Sequence, residues 1–212
     1  MITCKVCFSP IYHRHLFQWH RSPHVCTRCD HQLEWHHQLS TFEGWSIESF
    51  LDYGPFFKSR IHQYKALGDI ELGKTFLHQH QDYLRIKYRG FTFLPAPSFS
   101  EHVLQRGFHH LDEILLPLGI PLLHVFYKNK AYRQAEQDVQ GRQGIREVIQ
   151  RHQDMPLPRK MVLFDDVMTS GETMRSMIQL IPIHERYDLK IMVLSRKIDT
   201  NSRLQSASKM LK

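Results

Sequence analysis

The chain has 212 residues, with 28 Lys and Arg against 21 Asp and Glu, 16 His, a formal charge of +7 and 42% hydrophobic residues. That length allows one substantial domain and a small accessory module, and no apolar run approaches the ~20 residues that a membrane helix needs. A basic balance attracts phosphorylated small molecules and nucleic acid alike, and the start carries no basic-then-apolar leader pattern, so a cytoplasmic location without membrane insertion is expected.

All four cysteines stand near the start, in Cys4-Lys5-Val6-Cys7 and Cys26-Thr27-Arg28-Cys29. Two CxxC knuckles at this separation suit one tetrahedral thiolate site for zinc. A redox pair would need a single CxxC on a thioredoxin-like unit, and iron-sulfur spacings differ. Four thiolates close the coordination sphere, so the expected zinc is structural and holds a module over residues 1–40. The nearby His13, His15, His20, His24 and His31 read as surface or packing residues.

A polar joint at His36-His37-Gln38-Leu39-Ser40-Thr41 follows, and the main domain is expected over residues 41–212. Phe57, Ile61, Tyr64 and Leu67 recur at helical spacing, and a second helical stretch runs through Leu72, Phe76 and Leu77. Phe91 to Leu94 reads as a strand stopped by Pro95 and Pro97. Leu104, Phe108, Leu111 and Leu115 predict one amphipathic helix, and Leu122 to Phe126 a short strand. Residues 127–147, rich in Lys, Arg and Gln, read as a loop. Met161 to Phe164 is a buried strand, Thr173 to Ile181 a helix and Lys190 to Ser195 another strand. This alternation of strand and helix, with continuous apolar strands, argues for an α/β fold with a parallel sheet flanked by helices.

Asp165 and Asp166 follow the Met161 strand directly, and Thr169-Ser170-Gly171-Glu172-Thr173 comes next. Ligands of open α/β sheets gather beyond the strands' carboxyl ends, beside the amides of the following helix. Two carboxylates can accept hydrogen bonds from vicinal sugar hydroxyls. Consecutive amides, hydroxyls and a glycine can wrap a phosphate. Arg106 after the Phe91 strand and Lys128, Lys130 and Arg133 in the basic stretch are candidate cations for such an anion.

The run VLFDDVMTSGET, Val162 to Thr173, resembles the ribose-5-phosphate motif of the type I phosphoribosyltransferases. The resemblance implies Asp165 and Asp166 as acceptors of the ribose hydroxyls and Thr169, Ser170, Gly171, Glu172 and Thr173 as the 5-phosphate loop. It also implies phosphoribosyl pyrophosphate (PRPP) as ligand, with Mg2+ on the leaving pyrophosphate and Arg106, Lys128, Lys130 and Arg133 as candidate contacts to it. In their order, the four-cysteine start, YKALGD at Tyr64 to Asp69, LPAPS, QRGF, the basic stretch and VLFDDVMTSGET resemble the ComF family of competence-associated phosphoribosyltransferase-like proteins. Pro95-Ala96-Pro97 and Arg106-Gly107-Phe108-His109 depart from that family's usual Pro-Val-Pro and Arg-Gly-Phe-Asn.

Family resemblance implies a role in natural transformation, with single-stranded DNA and competence machinery proteins as partners. Two functions stay open at this point. One is pentosyl transfer from PRPP to an unidentified acceptor, in competence or in metabolism. The other is a catalytically silent PRPP-sensing module that holds single-stranded DNA. For the latter, Tyr12, Phe17, Trp19 and Trp35 among Arg14, Arg21 and Arg28 could stack bases and neutralise phosphates, or serve as the core of the metal module.

Overall fold

The computed structural model of the protein describes residues 2–11, 24–128 and 149–197. Its N-terminal part is built around the cysteines. Strands β1 (Ile2–Thr3) and β2 (Pro10–Ile11) pair antiparallel. Between them the Cys4–Cys7 knuckle closes with Phe8 in the left-handed region, its N–H donated to the Cys4 carbonyl at 2.9 Å. Helix α1 (Thr27–Gln32) begins directly after Cys26. Cys4, Val6, Val25, Cys29 and Leu33 are buried and continuous with the main core, so the knuckle is not a free appendage.

The next residues form a hairpin, β3 (Trp35–Phe42) and β4 (Trp45–Leu51), around Glu43 and Gly44. Both turn residues have positive φ, 51° and 81°, as a two-residue hairpin turn requires. Residue 40, where the sequence suggests a joint, lies inside β3. Helix α2 (Pro55–Ala66), a 3-10 stretch (Ile70–Thr75) and α3 (Gln81–Lys87) come next. After them run β5 (Thr92–Pro95), α4 (Ser100–Arg106), α5 (His110–Leu115) and the small hairpin strands β6 (Phe126–Lys128) and β7 (Ile149–Arg151). Strand β8 (Lys160–Met168), α6 (Glu172–Leu180) and β9 (Asp188–Arg196) complete the described chain.

The main sheet has five strands in the order β3-β4-β9-β8-β5. Strands β4, β9, β8 and β5 are parallel to one another, and β3 is an antiparallel edge. Met161 to Phe164 and Ile191 to Leu194 are fully buried, which is why they read as unbroken apolar runs rather than alternating ones. Glu48 on β4 is a buried charge inside the sheet. Its Oε1 accepts from His37 at 2.6 Å and Tyr83 at 2.7 Å, and its Oε2 from Lys87 at 2.8 Å and Tyr88 at 2.6 Å, which fastens β4 to α3.

Three local expectations change. The helix expected through Leu104 and Leu115 is two helices, because Gly107 at φ 83° caps α4 in the left-handed conformation and donates to the Val103 carbonyl. The second helical stretch is a 3-10 turn, with α3 beginning later. Of residues 122–126, Leu122 makes a single bridge to Phe93, and regular pairing starts only at Phe126.

Candidate functional site

Strand β5 ends at Pro95, paired with Phe164, and its last contact to β8 is the Ala96 N–H on the Phe164 carbonyl at 2.8 Å. Pro95 and Pro97 lack amide hydrogens and cannot extend the ladder. Strand β8 runs on alone along that edge, so Asp165 and Asp166 stand where its β5 side becomes free. They line a cleft of about 460 Å³ together with Lys65, Ser98, His102, Arg106, His110, Lys128 and Thr173. Strand alternation sends successive side chains to opposite faces, and both carboxylates reach one cleft because it lies over the rim. A neighbouring hollow of about 540 Å³ shares Lys65, His102 and Arg106 with it.

The two acids are electrostatically unequal. Burial and the charge of Asp166 push Asp165 up to about 7. Burial acts on Asp166 in the same sense but is outweighed, chiefly by Lys65, so its carboxyl lies below the usual range. Lys65 Nζ forms an ion pair with Asp166 Oδ2, and His110 Nε2 lies 3.7 Å from the same oxygen. Burial pushes His110 down to about 3, so near pH 7 it is neutral and Lys65 supplies the counter-charge. The pair therefore carries between one and two negative charges near neutrality, Asp165 being about half-protonated there, and a ligand that offers cations or donors draws out the rest.

Lys65 is held by the backbone around it. Arg106 Nε donates to the Lys65 carbonyl at 3.1 Å, and Arg106 Nη1 is buried with no hydrogen-bond partner among the described residues. Tyr64 donates its hydroxyl to the His110 carbonyl at 2.5 Å, which ties α2 to α5. Ser98 Oγ lies 3.3 Å from His110 Nδ1. The wall facing the two acids thus comes from three elements remote in sequence.

Beyond β8, Thr169 and Ser170 are exposed, and Gly171 caps α6 at φ 78°. A Cβ on Gly171 would meet the Phe42 ring at 2.5 Å, so both its conformation and its surroundings demand glycine. Glu172 is turned to Arg175, whose guanidinium also holds Glu43 at 2.8 Å and so locks the β3–β4 turn to the first turn of α6. The nine-residue α6 presents its N-terminus beside the cleft, with Thr173 in the lining.

At the other centre, the sulfurs of Cys4, Cys7, Cys26 and Cys29 lie within 4.8 Å of one another. Cys7 and Cys26 are 3.7 Å apart, close to the ~3.8 Å edge of a zinc–thiolate tetrahedron with 2.3 Å bonds. The Cys26 N–H donates to Cys4 Sγ at 3.3 Å. These residues fit a zinc ion, and four cysteines so placed can bind one. Asp30 on α1 docks this module: it accepts from Trp35 Nε1 at 3.0 Å and Gln79 Nε2 at 2.8 Å and pairs with His78 at 2.9 Å.

Of the basic candidates, Arg106 and Lys128 border the cleft, while Lys130 and Arg133 lie outside the described residues. So do Tyr12, Arg14, Phe17, Trp19 and Arg21. Trp35 is half-buried, bonded to Asp30 and set edge-on to His78 at 5.0 Å, which commits it to docking the module. Sequence reasoning missed Lys65, His110 and Ser98 as site residues. Their one signal was position, since Lys65 and Ser98 fall inside the YKALGD and LPAPS blocks.

No protein-family model matches the chain. Over 153 residues it is 24% identical to the competence protein ComFC of Streptococcus pneumoniae (strain ATCC BAA-255 / R6), which covers 72% of this chain and 69% of that protein. The chain is a distant relative of that competence protein, a likeness that supports the kinship with the ComF family read from its motif order.

Proposed function

We propose that the chain binds PRPP in the Asp165–Asp166 cleft and acts in natural competence as a phosphoribosyltransferase-like protein. The observation that carries the reading is the cleft itself: two carboxylates on the rim of the sheet, a basic wall of Lys65, Arg106 and Lys128, and the α6 N-terminus, all around one space. The ribose hydroxyls donate to Asp165 and Asp166, and the 5-phosphate takes the amides and hydroxyls of residues 169–173. The pyrophosphate lies toward Lys65, Arg106 and Lys128. Among the described residues, clusters of three or more metal-ligating side chains occur elsewhere and not in the cleft. Mg2+ is therefore held mainly by the oxygens of PRPP, where it supplies charge neutralisation. Pentosyl transfer with these parts is positioning and electrostatics: the cleft fixes the sugar and stabilises the pyrophosphate as negative charge develops on it. The competence role rests on the relative's name and on the order of the motifs.

Isothermal titration with Mg2+ and PRPP tests this. Saturable binding to one site per chain is expected, and Asp165→Asn with Asp166→Asn should abolish it while leaving the fold intact by circular dichroism. Undiminished binding in the double variant would exclude the cleft. Repeating the titration with single-stranded DNA present tests for a link to the competence partner, because coupled sites change each other's affinity by the same factor.

A further inference from the structure

Helix α5 starts immediately after His109, and its next residue, His110, turns into the cleft. His109 and Asp112 are three apart and so share a different face of the first turn. His124 reaches that face from the segment after the Leu122 bridge, whose place is fixed by the Leu123 N–H on the Phe93 carbonyl at 2.9 Å and the His152 N–H on the Val125 carbonyl at 2.9 Å. We propose that His109, Asp112 and His124 form a second metal site, separate from the four cysteines, for a divalent ion of the zinc class.

Four observations converge on it. One donor atom from each residue lies within 4.8 Å of the others. His124 Nε2 is 2.9 Å from Asp112 Oδ2, and the two imidazole centroids are 5.1 Å apart. Asp112 Oδ1 is buried and has no hydrogen-bond partner among the described residues. His109 and His124 are exposed, so an ion and its waters have access.

An ordinary histidine–aspartate ion pair would account for His124 and one carboxylate oxygen. It would leave the second imidazole and the orphaned oxygen without a role. Two imidazoles and a carboxylate suit zinc, nickel or copper rather than magnesium or calcium, which prefer oxygen. Tetrahedral zinc with bonds of about 2.0–2.1 Å sets its ligands about 3.3 Å apart, a closure that exposed imidazoles reach by side-chain rotation. Backbone pre-organisation is already present, because the Asp112 N–H donates to the His109 carbonyl at 3.1 Å. Three protein ligands leave a coordination position open to water, unlike the closed four-cysteine site.

The test is a Zn2+ titration of the full chain whose cysteine site is already loaded, followed by isothermal calorimetry and by metal analysis after desalting. One further saturable equivalent is expected. Asp112→Asn, and separately His109→Gln with His124→Gln, should weaken it by on the order of 10- to 100-fold, with the cysteine-bound zinc retained. The histidine pair is exposed, so that variant keeps its fold even if the half-buried Asp112 change does not. Absence of a further equivalent overturns the proposal. So does one bound equally well by the histidine variant, which would place it on other histidines such as His13, His15 and His20.

Discussion

Asp165 is flanked by Asp166 and enclosed by the cleft, and both effects raise its pKa to about 7. Unfolded, the same carboxyl titrates near 3.9. The native state therefore keeps a proton that the unfolded chain releases between about pH 4 and 7. Stability from this group is full below about pH 4 and is lost as pH rises through 7. Asp165→Asn removes that loss. Relative to wild type, the variant should gain on the order of 2–4 kcal/mol as pH goes from 4 to 7 and nothing further above, read from urea unfolding at stepped pH. Parallel stability curves would show that Asp165 is ionised throughout. The acids could be read directly from sequence because they interrupt an aliphatic strand at a place where charge has no packing reason to be. Lys65, which sets the difference between them, could not, since its contact with Asp166 spans α2 to β8 and no local periodicity encodes it.

At the scale of elements, the turn before α6 and the β3–β4 hairpin are fitted to each other. Gly171 at φ 78° lies against the Phe42 ring, and Arg175 grips Glu43 at the hairpin's turn. Gly171→Ala should cost about 1–2 kcal/mol for the left-handed backbone and more for displacing Phe42, and should weaken phosphate-ligand binding. Phe42→Leu in the same chain relieves the second part only. The two changes must then be non-additive in denaturant unfolding, whereas simple additivity would mean that ring and glycine do not meet. This fit explains which elements the sequence announced. Strand β8 is buried on both faces over Met161 to Phe164 and reads there as a pure apolar run. Strand β3 is an edge, five of its eight residues are exposed and only Phe42 is buried, so no period shows and WHHQLSTF accordingly resembles a linker. Strand β4 hides behind Glu48, a buried charge that breaks its apolar pattern and is satisfied only by partners on β3 and α3 and by Tyr88 at the end of α3.

Across the whole molecule, the metal module and the sheet form one continuous core. Cys4, Cys29 and Leu33 belong to the same buried cluster as Phe50 and Phe76, and Asp30 joins α1 to Trp35, His78 and Gln79. A zinc ion on the four thiolates would thus stabilise more than the knuckle, because α1 leads within two residues into β3, the edge of the five-stranded sheet. Removing it leaves four thiols, too little apolar area to order residues 2–11 and 24–33, and a β3 strand without its anchor. Strands β8 and β9 pair with each other over eight positions and need no such support. Chelation, or Cys4→Ser with Cys29→Ser, should therefore abolish amide-exchange protection in the module first, lower it in β3 next, and leave β8 and β9 protected. The candidate PRPP cleft is built from α2, α4, α5, β8 and the α6 N-terminus, of which only the last leans on β3, so its ligand binding should survive with at most a few-fold loss. A protein whose β8 and β9 amides exchange together with the module would instead be a single cooperative unit held together by its metal.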